Sequence, residues 1–159
     1  MRKQNSWFYF LCLALWLSVA TAESVDLSTL QKGAAAGDAY AQLNLGAAYD
    51  NGIGVKRDID KALHWYQKAA EQGVAEAQFN LAHLLVTEEI SAVAAAEWMQ
   101  KAAEQGMVDA EYLLGVIYAE GIGVEMNHAE ARIWLKKAVA RGHSEAERFL
   151  KEMKSPKQP

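Results

Sequence analysis

Histidine can ligate a metal or move a proton near neutral pH, and this chain has four: His64, His83, His128 and His143. A zinc site on a helix needs its ligands at short fixed spacing, as in His-Glu-x-x-His. Separations of 19, 45 and 15 residues offer no such pairing, so no metal site is expected. Two glycine loops, Gly52-Ile53-Gly54 and Gly121-Ile122-Gly123, could suggest phosphate cradles. Neither continues into the Gly-Lys-Ser/Thr of a P-loop, and neither has the GxGxxG spacing of a dinucleotide site. Both read as the ends of helices, and no cofactor is implied.

The remaining nucleophiles are few. Cys12, the only cysteine, lies in an uncharged apolar run from Trp7 to Ala20 that follows Arg2 and Lys3 and precedes Ala20-Thr21-Ala22. A basic head, an apolar stretch and small residues at a cut site make a secretory signal peptide over 1–22, with cleavage expected after Ala22. The alternative is a retained anchor, but 14 helical residues rise about 21 Å against a hydrocarbon core of about 30 Å. Cleavage takes away the thiol and with it disulfides, a cysteine nucleophile and cysteine metal ligation. Of 159 residues with 16 basic and 20 acidic, losing 22 that include Arg2 and Lys3 leaves 137 with 14 basic and a net charge of −6. That balance disfavours nucleic acid and anionic membrane as partners. The expectation is a periplasmic or secreted protein, monomeric, with no membrane insertion once the leader is gone.

What must position any functional residue is a repeat. Residues 39–74, 75–108 and 109–143 are three versions of one pattern, and matching glycines at Gly37, Gly73, Gly106 and Gly142 lie 36, 33 and 36 residues apart. This period belongs to stacked helical hairpins, each too small to bury its apolar face without a neighbour. The predicted fold is all-α, a solenoid. In the first repeat Ala41, Leu45, Ala48 and Tyr49, and after a break Ala62, Trp65, Tyr66 and Ala69, recur at helical spacing. The glycines of 52–54 can end the first helix with a left-handed residue, and Asp58 can cap the second. The third repeat copies this, with Asn127 and Glu130 as a capping box. The second repeat lacks three residues and both glycines here, reading Val86-Thr87-Glu88-Glu89-Ile90-Ser91, with Ser91 as its cap.

Gly46, Ala82 and Gly115 share one register and let helix axes approach. Trp65, Trp98 and Trp134 share another and are expected to fill the space between hairpins, as core and not as a ligand cage. Residues 23–38 read as a capping half-repeat, with Asp26 to Ala36 equivalent to a second helix. Residues 144–159 read as a capping first helix with a tail.

Ala39 to Gly73 carries Ala-x-Ala-Gln-x-x-Leu-Gly-x-x-Tyr and then Asp-x-x-Lys-Ala-x-x-Trp-Tyr-x-Lys-Ala-Ala, which resembles the Sel1-like repeats, a branch of the tetratricopeptide-like solenoids. The second repeat departs from it, with Ala94-Ala95 in place of Lys61-Ala62. The resemblance implies a right-handed superhelix whose concave groove binds a protein or peptide partner. On that geometry the groove face is Tyr40, Leu43, Ala47 and Asp50 in the first repeat, Glu76, Phe79, His83 and Val86 in the second, and Asp109, Tyr112, Val116 and Ala119 in the third. A scaffold, a regulator or an immunity protein would all fit. Cysteine-rich relatives associated with penicillin-like compounds supply the enzymatic alternative, a β-lactam hydrolase. This chain has no Ser-x-x-Lys motif, and Ser24, Ser28, Ser91, Ser144 and Ser155 fall at helix ends or tails, so no catalytic residue is expected.

Overall fold

The computed structural model describes residues 26–153. The expected leader and the last residues of the tail lie outside them. Among the described residues there are eight helices and no strand: α1 Leu27–Ala35, α2 Ala39–Asn51, α3 Ile59–Glu71, α4 Ala75–Thr87, α5 Ala92–Glu104, α6 Val108–Glu120, α7 His128–Ala140 and α8 Ser144–Glu152. The main packing joins helices that are consecutive in the chain, which makes the fold a one-dimensional stack.

Local chemistry sets the helix starts. Asp38, Asp58 and Ser91 each accept the amide of the third residue on, at 2.8, 3.1 and 3.2 Å, and Asn127 accepts those of Ala129 and Glu130. Each bond satisfies a donor that the helix leaves unpaired. Gly52 and Gly121, at φ 69° and 73°, end α2 and α6 in the left-handed region. The shortened second loop manages without glycine, because Glu89 itself adopts φ 53° between α4 and Ser91.

Alanine makes the stack tight. Ala62, Ala69, Ala77, Ala95, Ala102, Ala110, Ala131, Ala138 and Ala146 are fully buried. The first-helix glycines go further: a Cβ at Gly46 would lie 2.6 Å from Tyr66 Cδ1, and one at Gly115 would lie 2.6 Å from Leu135 Cγ. The side chain that fills the hairpin is therefore the residue after each tryptophan, since Tyr66, Met99 and Leu135 are 2%, 3% and 0% exposed. Trp134 is buried, whereas Trp98 and Trp65 are half-buried. Lys101 and Lys137 lie over the rings of Trp98 and Trp134, at 3.8 and 3.6 Å from the centroids. A helix turn of 100° per residue explains the offset, because the knob points at the first helix and its predecessor points to the hairpin's flank.

Candidate partner-binding surface

The first helices α2, α4 and α6 carry the predicted groove residues, and the structure sorts them into two groups. Tyr40, Glu76, His83, Val86 and Asp109 are exposed, while Ala47, Asp50, Phe79, Tyr112 and Val116 are half-buried. Leu43 and Ala119 are buried, at 4% and 7% exposure, and are spent on the core. Stepping by four residues after the first position gives a different line: Tyr40, Asn44, Ala47 and Asn51; Glu76, Asn80, His83 and Thr87; Asp109, Leu113, Val116 and Glu120. None of these twelve is buried. Asn44 and Asn80 were absent from the sequence-based stripe, although their polarity beside Leu43 and Phe79 was the available signal.

Several half-buried members are already engaged. Burial, together with the nearby Asp50 carboxylate, pushes the Tyr66 phenol above its ordinary range. Arg57 donates from Nε to the Asp50 carbonyl at 2.8 Å and pairs with Glu88 of α4's end at 2.7 Å. The first loop is thus tied to the shortened second one. Tyr112 stacks on His143, with centroids 4.4 Å apart. His143 accepts the Ala146 amide at Nδ1, capping α8, and turns Nε2 towards Asp109 at 3.5 Å. Asp109 still keeps a side-chain exposure of 66%. Glu76 and His83 are exposed, and the Thr87 hydroxyl bonds the carbonyl of His83, not its ring.

A line of buried polar residues holds these helices in register. Gln42 donates to the Ala34 carbonyl at 3.1 Å and accepts from Gln72 at 2.8 Å. Gln78 repeats both bonds with Ala70 and Gln105, at 3.1 and 2.8 Å. In the third repeat the pair is Glu111 and Arg141, at 3.4 Å, with Arg141 also donating to the Gly106 carbonyl. Sequence reasoning quoted Gln42 within the repeat pattern without assigning it this task.

Among the described residues no three His, Cys, Asp or Glu side chains gather as a metal site. Ser28 and Ser144 donate to Asp26 and Glu145, and Ser91 caps α5. One surface cleft, about 780 Å³, lies at the C-terminal end of the described residues between Glu120, Met126, Arg132, Phe149 and Met153. A smaller one, about 350 Å³, lies by Tyr49, Val55, Lys56 and Lys61. No helix of the described residues is long and apolar enough to cross a membrane.

Comparison with known proteins agrees with this geometry. The Sel1 repeat matches three times, at residues 39–74, 75–107 and 108–143. Chitin synthase regulatory factor 3 of Schizosaccharomyces pombe is 33% identical over 128 residues, covering 77% of this chain and 14% of that protein. A Sel1 repeat protein from Oxalobacter formigenes superimposes with a TM-score of 0.70 at 34% identity, over 80% of this chain and 98% of the other. The protective antigen c5321 of uropathogenic Escherichia coli, which displays an SLR fold, gives 0.76 at 33% identity, over 82% of this chain and 29% of its own. Repeats of this kind serve generally in contacts between proteins, and the chain belongs to the Sel1 repeat family.

Proposed function

We propose that this protein is a non-catalytic binding module, exported to the periplasm, that holds a peptide segment or protein surface along its first helices. The observation that carries the reading is the line of twelve unburied positions on α2, α4 and α6, stacked repeat on repeat. A stack buries what it needs for stability, so side chains such as Tyr40, 67% exposed, and His83 have no packing duty to explain them. Glu76, Asp109 and Glu120 give the line an acidic edge, and charge of one sign selects complementary partners and speeds their encounter. In the concave groove that the family implies, this line would form the floor.

A regulatory role fits best among the three candidates. The fungal relative is described as a regulatory factor, and a helical array can act by occupying another protein's surface; envelope scaffolding and neutralisation of a periplasm-acting toxin follow the same physics. Capture from a periplasmic extract, with wild type beside Glu76→Lys/His83→Ala/Asp109→Lys, tests the assignment. The expected result is a partner held by wild type and weakened at least tenfold by the triple variant, with unchanged helical content. Equal affinity for a folded triple variant sinks the assignment of this surface.

A further inference from the structure

The complete hairpins share one register, with a small residue on the first helix matched to a large one on the second. Gly46 lies under Tyr66, Gly115 lies under Leu135, and Ala82 and Met99 hold the matching positions in the middle repeat. Helix α8 is a further first helix by the same register. Ala146 is fully buried, as Ala77 and Ala110 are, and Leu150 falls 36 residues after Leu114. The residue 36 after Gly115 is Lys151, exposed and paired with Glu147 at 2.6 Å. A large apolar side chain cannot settle there without displacing the lysine stem and stripping water from its ammonium group.

The opposite end carries the complementary half. Helix α1 is a second helix by its packing, because Ala34 accepts the Gln42 amide as Ala70 accepts that of Gln78. Leu30 stands 36 residues before Tyr66, so it is the large residue of that contact, half-buried where Tyr66 is 2% exposed. Ala36 likewise stands where Gln72 does, so it would offer Glu147 no donor.

We infer that Lys151, with Glu147, keeps copies of this chain from joining head to tail, α8 of one against α1 of the next. The contact held off is the one between the two helices of a hairpin, so a second copy is its natural occupant and the joined array would continue the existing stack. Such a join is heterologous, which means that it propagates once it forms.

Sedimentation of purified wild type, Lys151→Ala and Glu147→Gln/Lys151→Ala over a range of concentrations tests this. The double change removes the carboxylate that a single change would leave facing the joint, and a glutamine there reproduces the side chain of Gln42 and Gln78. Wild type is expected to keep its mass, and the double variant to rise to twice that mass or more as concentration increases, with circular dichroism unchanged. Adding Leu30→Asp should return the double variant to wild-type mass. The inference is overturned if both variants keep wild-type mass, if wild type associates as strongly, or if association survives Leu30→Asp.

Discussion

The first two repeat seams and the third perform one mechanical task with different chemistry. Gln42 with Gln72, and Gln78 with Gln105, are neutral amide pairs, each tied back to a carbonyl of the preceding unit. Glu111 with Arg141 makes the corresponding joint from an ion pair, and the carboxylate has no N–H to give the Ala103 carbonyl. Its Oε2 is buried and has no hydrogen-bond partner among the described residues. An amide both donates and accepts, so one residue can serve two helix ends, whereas a carboxylate only accepts and leaves the Ala103 carbonyl without a side-chain donor from Glu111. All three seams close on an exposed side chain, Gln72, Gln105 or Arg141, but only the third sets a charge against a buried carboxylate.

Removing that charged side chain should have the largest effect. Arg141→Ala leaves a buried carboxylate without its counter-charge and takes the donor from the Gly106 carbonyl, so a loss of about 2–3 kcal/mol is expected in denaturant unfolding. Gln105→Ala is the matched change in the second seam. Gln78 keeps its bond to Ala70, and the loss should be about 1 kcal/mol. A double-mutant cycle sharpens this: Glu111 and Arg141 should couple more strongly than Gln78 and Gln105. Equal coupling would mean that charge adds nothing to the third seam.

Glu111→Gln asks whether the third seam can be converted to the first kind. The introduced amide can donate to Ala103 and still accept from Arg141, so stability should stay the same or rise by up to about 1 kcal/mol. A clear loss would show that the ion pair is the better joint. The smallest effect is on pH. The Asp58 carboxyl is held below its ordinary range by the Lys61 amide and ammonium, and that of Asp26 by Thr29 and the Ser28 amide. A lowered folded value means that the contribution is present above the ordinary carboxylate range and is lost as pH falls through the folded one. Acid should loosen α1 and the start of α3 a little, and Asp58→Asn should remove part of that slope.

The period, hairpins, caps and glycine turns were legible because they are local. Asp58, Ser91 and Asn127 act within three residues of themselves, and Gly52 and Gly121 act on their own backbone. What the sequence hid depends on direction around a helix. Leu43 and Asn44 are adjacent, and 100° separates a core residue from a surface one, so stepping by three where the helix steps by four put Leu43 on the binding face. Trp65 and Tyr66 show the same ambiguity, since size marks both as core and only the position of Gly46 selects the tyrosine as the knob. The side-chain partners of Gln42, Gln78 and Glu111 lie about 30 residues away, beyond any local pattern.

The central claim is that first-helix positions face the partner, and site-specific photo-cross-linking tests it most directly. A photoreactive residue placed singly at Asn44, Asn80, Glu120, Gln67, Gln100 and Lys136 compares the proposed face with exposed positions on the second helices. The account predicts adducts to one partner from Asn44, Asn80 and Glu120 and none from the other three; adducts confined to Gln67, Gln100 and Lys136 would contradict it.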